Sequence, residues 1–142
     1  MKVETTRFGA IDIREEEIIT MPFGMPGFSD QTHFVLLDHK KDSPFQWYQS
    51  IQDPSLAFVV TDPFLFKPDY GVNMQKIVEE LGWDQDVAEN QLKLYAIVNI
   101  PPGSPEKTTA NLIGPVLMNL ATREAVQVII TDSRYSHKFP LV

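Results

Sequence analysis

The sequence predicts a mainly β, single-domain, β-barrel-like fold of short antiparallel strands, with one or two short helices inserted around residues 73–91. Three observations predict it. Apolar residues recur in short runs with period two, the spacing at which a strand sends alternate side chains to one face. Clusters of Gly, Pro, Asp and Asn part these runs at near-regular intervals, as in barrels and sandwiches. Only one stretch combines a helix start, an apolar helical face and a helix stop. With 142 residues and no internal repeat, linker or low-complexity tract, residues 1–142 read as one domain.

Phe8, Ile11 and Ile13 give a first strand about Gly9 and Asp12, followed by a polar turn at Glu15, Glu16 and Glu17. Ile18, Ile19 and Met21 form the next run, which Pro22 stops because it has no N–H for a ladder. Residues 22–28 read as an ordered loop. Two prolines restrict it, two glycines permit positive φ, and Phe23, Met25 and Phe28 are expected to pin it against the body. Residues 33–37 and 45–51 are strands on either side of a charged turn at 38–43. In 56–61, Leu56, Phe58 and Val60 alternate with Ala57, Val59 and Thr61, so the strand is apolar on both faces. It is either sandwiched or covers an exposed contact.

Asn73 caps the helix, Ile77, Val78 and Leu81 make its apolar face, and Gly82 ends it. A short second helical turn is expected from Asp84, within the ambiguous stretch 83–91. Strand signals resume at 92–100 and stop at Pro101-Pro102-Gly103. Strands at 108–113, 116–120 and 125–130 complete the set, the last two joined by the turn Ala121-Thr122-Arg123-Glu124. From Asp132 the tail is polar, with Tyr135, Phe139 and Leu141 spaced through it.

Twelve Lys and Arg against nineteen Asp and Glu leave a formal charge of -7. That sign opposes direct nucleic-acid binding, whose affinity comes from cationic contacts with phosphates. It does not oppose binding a protein that itself binds nucleic acid. The chain has no cysteine, which excludes disulfides, thiolate metal sites and thiol nucleophiles, and fits a reducing compartment. Met1-Lys2-Val3-Glu4 has no apolar stretch behind it, and no apolar run nears the roughly 20 residues that span a bilayer. A cytoplasmic protein without a membrane partner is expected.

Catalytic and cofactor signals are weak. His33, His39 and His137 sit far apart and in no metal-ligand spacing; a solvated role fits His39 in its charged turn and His137 in the tail. Neither a glycine-rich phosphate loop nor a Gly-x-Ser-x-Gly elbow occurs. Asp53 and Asp62 each precede a proline, where a carboxylate accepts from following amides and proline presets the turn. No catalytic residue, no cofactor and no metal site is therefore expected. The densest segment, 44–70, carries aromatics enough for a core and for an exposed rim at 63–70, and surface aromatics mark protein-binding faces.

Several separated runs, in this order and spacing, give the chain a family likeness. They are Phe8-Gly9, Pro26-Gly27-Phe28, Trp47 with Gln49-Ser50, Asp53-Pro54-Ser55-Leu56-Ala57-Phe58, Asp62-Pro63, Pro68-Asp69-Tyr70, Asn99-Ile100-Pro101, Asn111-Leu112 with Gly114-Pro115, and Gln127-Val128-Ile129. With these runs the chain resembles the FliW family of bacterial flagellar assembly factors over nearly its full length. The resemblance implies a β-rich, barrel-like protein without catalytic activity that works by protein contact. It implies two cytoplasmic partners, flagellin and the RNA-binding translational regulator CsrA. Secretion of flagellin would free the protein to sequester CsrA, by the allosteric route the resemblance implies, relieving repression of flagellin translation. On this reading the expected partner-binding residues are Trp47, Tyr48, Asp53, Phe58, Phe64 and Tyr70, with Asn111 and Arg123 near the second hairpin. Two rivals stay open on the residues alone: a barrel module binding a small ligand, and a hydrolase built on Asp53 or Asp62.

Overall fold

A computed structural model describes every residue except Pro26, His39, Ser133 and Val142. The expectations placed on Pro26, within the ordered loop, and on His39, as a solvated turn histidine, lie outside the described residues. Among the described residues the strands are β1 (Lys2–Thr5), β2 (Gly9–Asp12), β3 (Ile19–Thr20), β4 (His33–Asp38), β5 (Phe45–Ser50) and β6 (Ala57–Thr61). After them come the helix α1 (Met74–Leu81), then β7 (Leu92–Asn99), β8 (Thr109–Asn119), β9 (Glu124–Gln127) and β10 (Phe139–Pro140). Seven strands close a barrel in the order β8, β7, β6, β5, β4, β3, β9 and back to β8, with β10 added to β8 outside the ring. Neighbours are antiparallel except at the joint of β3 and β9, a parallel contact of Thr20 with Glu124. The expected β-barrel with a helical insertion is the observed fold.

Alternation sends one set of side chains into the barrel and the other outside it. Tyr48 lies opposite Phe58 and Leu36, and Val60 opposite Ile97. These join Ile19, Phe34, Val116, Met118 and Ala125 in the barrel's core. Phe34 and Tyr48 stack with centroids 4.4 Å apart and planes 6° from parallel. Both outer faces are covered as well. Leu94, Ala96 and Val98 of β7 and Ala110, Leu112 and Leu117 of β8 pack under Val78 of α1, Tyr70 and Tyr135. On another flank, Val3 and Ile13 of the β1–β2 region cover Val35 of β4, with Leu37 and Ile51 beside it. The apolar-on-both-faces strand β6 is therefore sandwiched between interior and exterior layers.

Local chemistry accounts for most of the connections. Asn73 Oδ1 accepts from the Lys76 N–H at 3.0 Å, and Gly82 ends α1 at φ 71°, as the cap and stop residues predict. Glu15–Glu17 form a 3-10 turn, as do Glu89–Gln91, so the second helical piece lies later than Asp84 and is shorter than α1. In the 22–28 loop Met25 is 2% exposed and Phe28 packs edge-on against Phe58, but Phe23 points out at 73% exposure. Two of the three expected anchors pin the loop; Phe23 does not. Gly24 makes the turn possible, because a Cβ there would lie 2.7 Å from the Ser29 Cα.

Three expectations need correction. Residues 108–113 and 116–120 are not separate strands but parts of one, β8. Gly114-Pro115 does not end it, because a bulge accommodates 112–115 opposite Ala96 between the Tyr95–Val116 and Ile97–Asn111 pairs. The expected 125–130 strand stops as a regular element at Gln127, although Val128 and Ile130 still donate to Pro115 and Ile113 carbonyls. The rim 63–70 is only partly exposed: Pro63 and Tyr70 are buried, Phe64 packs on the outer cluster and Phe45 stacks on Phe66 at 6.2 Å, while Leu65, Pro68 and Asp69 face solvent. Strand β1 was not among the expected strands; its signal is faint, the alternation of Val3 and Thr5, both buried.

Candidate protein-contact site

Asp-Pro turns place the first candidates. Asp53 Oδ1 accepts from the Ser55 N–H at 2.9 Å and from its hydroxyl at 2.8 Å, and these two donors hold the carboxyl below the ordinary Asp range. Asp62 Oδ1 accepts from the Phe64 N–H at 2.9 Å and caps the 3-10 turn Pro63–Leu65. Both carboxylates are accounted for as turn makers. The Asp53 turn is anchored from within by Gln49, whose Nε2 donates to the carbonyls of Ser50 and Leu56 at 3.0 and 3.1 Å. The same turn meets the β1–β2 connection, where the Thr6 N–H donates to the Pro54 carbonyl at 2.8 Å.

That junction builds a surface cluster in which the expected site residue Trp47 meets exposed partners. Trp47 lies opposite Leu37 and Val59 on the outer side of β5 and is half-buried. Phe8 packs edge-on against it at 6.1 Å, and the Arg7 guanidinium lies 4.1 Å above its ring. Thr6, Arg7, Pro54, Ser55 and Ala57 line an adjoining hollow of about 200 Å³. Arg7 and Phe8 were missed because a polar-apolar pair before Gly9 carries no periodicity; only the β1–β2 hairpin folds them onto Trp47.

Two expected contact residues are corrected. Tyr48 is 1% exposed in the barrel core and Tyr70 3% exposed in the outer core, so neither ring can meet a docked partner. The Tyr70 hydroxyl donates to the Leu112 carbonyl, and its ring meets Tyr135 at 4.8 Å in a T-shaped contact. Burial pushes both hydroxyls up from the ordinary Tyr value. The other candidates are scattered. Phe58 sits near the barrel mouth between Phe28 and Phe34, and Phe64 packs on Tyr70 beside Leu65, which is 61% exposed. Asn111 Oδ1 accepts from the Ile113 and Gly114 N–H groups at 3.0 Å each and holds the β8 bulge. Arg123, at φ 59°, donates from Nε to the Glu16 carbonyl at 2.8 Å and accepts the Thr20 N–H on its own carbonyl, tying the β3–β9 joint. The structure thus unites Trp47 and Asp53 across one junction and leaves Phe58, Phe64, Asn111 and Arg123 at separate places.

Residues 2–141 match the FliW protein family. The chain belongs to the FliW family. Among its FliW relatives, the flagellar assembly factor FliW of Alkaliphilus metalliredigens is 39% identical over 140 residues, covering 97% of this chain and 84% of the relative. The flagellar assembly factor FliW of Treponema denticola is 38% identical, covering 100% of this chain and 94% of its own length. A crystal structure of the flagellar assembly factor FliW superimposes with a TM-score of 0.85 at 35% identity, covering 100% of this chain and 97% of that one. Some of the runs that carry the resemblance lie at turns and at the β8 bulge. They include the Asp53 and Asp62 turns, the Asn111 to Pro115 bulge, and Gln127, whose Nε2 donates to the Gly114 carbonyl at 2.8 Å. Among the described residues no three His, Asp or Glu side chains group as a metal site, and no helix is long and apolar enough to cross a membrane.

Proposed function

We propose that this protein is a non-enzymatic flagellar assembly factor that acts in the cytoplasm by protein contact. It binds flagellin and, when flagellin is scarce, holds the translational regulator CsrA so that flagellin translation is relieved of repression. The observation that carries the reading is the full-length likeness to relatives that bear the name flagellar assembly factor, at 38–39% identity for the two named above. Turn-capping roles for Asp53 and Asp62 support a binding protein over a hydrolase built on either carboxylate. The Trp47, Phe8 and Arg7 cluster beside the Asp53 turn is the contact face we favour, since it combines aromatic area, a cation and a shallow hollow.

A pull-down with flagellin and CsrA, singly and in competition, tests the reading. Capture of each, with flagellin displacing CsrA, is the expected result; capture of neither overturns it. The variant Trp47→Ala should weaken capture of a partner by about 1–4 kcal/mol, with folding checked by thermal melting. Unchanged capture by a folded Trp47→Ala protein removes this face from the reading.

A further inference from the structure

The second open surface lies on the far side of the barrel closure. Among the described residues β9 pairs with β3 at Thr20 and Glu124, and past Gln127 the chain runs along β8 with its other edge facing outward. Val128 and Ile130 turn their N–H groups to β8, donating to the Pro115 and Ile113 carbonyls at 2.9 and 2.8 Å. Alternation turns Ile129 the other way. Its N–H makes no hydrogen bond among the described residues, and its side chain is 72% exposed. The stretch Val126-Gln127-Val128-Ile129-Ile130-Thr131 has neither the charge nor the proline that commonly blunts a sheet edge. An edge of this kind is a template for another strand.

Helix α1 gives that edge a wall. Ile77, Glu80 and Leu81 face Val126, Val128 and Ile129 across a groove of about 240 Å³. It continues past Ile77 and Glu80 into a hollow of about 330 Å³ that reaches Asn73 and Asp132. Glu80 lines both hollows and is the one charged residue among the described lining of the first; Lys76 lines the second, where Asp132 is already paired with Arg134 at 2.6 Å. We propose that this groove takes an extended, cationic segment of a partner protein, which adds a strand to the 127–131 edge and pairs a basic side chain with Glu80. A strand laid there sends one face onto Ile77 and Leu81 and the other beside Ile129, so apolar and basic residues are both accommodated. A second copy of this chain fits less well, because each copy carries a formal charge of -7 and the same glutamate.

The probe is a blocked synthetic peptide alternating valine and lysine, with a valine–glutamate peptide as control. Binding is read by fluorescence anisotropy and by amide hydrogen exchange of the intact protein. The lysine peptide is expected to bind and to slow exchange at the Ile129 N–H, while the glutamate peptide does not bind. Glu80→Lys should weaken binding by about fivefold or more. Ile129→Pro, which removes a donor that β8 does not use, should abolish binding of the lysine peptide in the anisotropy measurement. Where Ile129→Pro melts early, Ile129→Lys serves instead, as it charges the edge without touching the β8 bonds. Equal binding of both peptides, unchanged exchange at Ile129, or indifference to Glu80→Lys overturns the proposal. Self-association that Ile129→Lys abolishes also overturns it, by making a second copy the occupant.

Discussion

Tyr48 is held by its ring while its hydroxyl goes unmet. The ring stacks on Phe34, yet the buried hydroxyl has no hydrogen-bond partner among the described residues. A buried polar group left in this state costs about 1–3 kcal/mol. Tyr48→Phe should therefore raise stability by about 1 kcal/mol, measured by urea unfolding. The same burial makes ionisation harder in the folded chain than in the unfolded one. Stability from Tyr48 is thus full below the unfolded Tyr value and is lost as pH rises past about 10, so Tyr48→Phe should also blunt the alkaline loss. Asp53 works in the opposite direction. Ser55 depresses its carboxyl, so its contribution is present above the unfolded Asp value and is lost as pH falls below about 4. Ser55→Ala removes the stronger of the two donors, and the acid limb of a melting-temperature profile should become shallower. The Asp-Pro turns were legible from residue type, because an Asp accepts locally wherever it sits. Whether Tyr48 faced in or out was not legible, since it alternates with the apolar Phe45, Trp47 and Ile51 and shares its own face with Gln46 and Ser50.

The elements divide by how local their determinants are. Helix α1 was legible at both ends because Asn73 and Gly82 act within a few residues of themselves. Strand β8 was not, since Gly114-Pro115 looks like a break until β7 and Gln127 surround it. Asn111 supplies two bonds to the bulge and Gln127 a third, from a different strand. Asn111→Ala should lower stability by about 1–2 kcal/mol in thermal unfolding while leaving partner capture unchanged in the folded fraction. Lost capture without lost stability would return Asn111 to the contact site. The loop at 22–28 shows the same division: its Gly24 turn is local, but which of its apolar residues are buried depends on the barrel mouth, where Met25 fits and Phe23 does not.

At the scale of the whole molecule, a seven-strand ring is too small to absorb every apolar side chain, so the outer faces of β4, β7 and β8 are buried beneath the N-terminal hairpin, α1 and the tail. That layered arrangement uses the aromatics of 63–70 as cover and leaves exposed large apolar residues at scattered points: Met1, Phe8, Phe23, Phe28, Leu65, Ile100 and Ile129 among the described residues. The formal charge of -7 acts at this scale too. Docked beside a basic RNA-binding surface, acids within the Debye length of about 8 Å would raise the cost of bringing phosphates in. On the proposed CsrA reading, neutralising Glu15, Glu16 and Glu17, or Asp84 and Asp86, should leave capture of CsrA intact and weaken RNA release, read in a filter-binding competition; unchanged release would leave a conformational route. By itself the sequence determined the β class, the single helix with its cap and stop, the turn chemistry of Asp53 and Asp62, and the acidic balance, because each depends on neighbours in the chain or on sums over it. Only the tertiary structure decided that Tyr48 and Tyr70 are core, that Arg7 and Phe8 join Trp47, and that 127–131 keeps an open edge beside α1. Those outcomes depend on which strand lies next to which, and period-two alternation specifies a face without specifying what covers it.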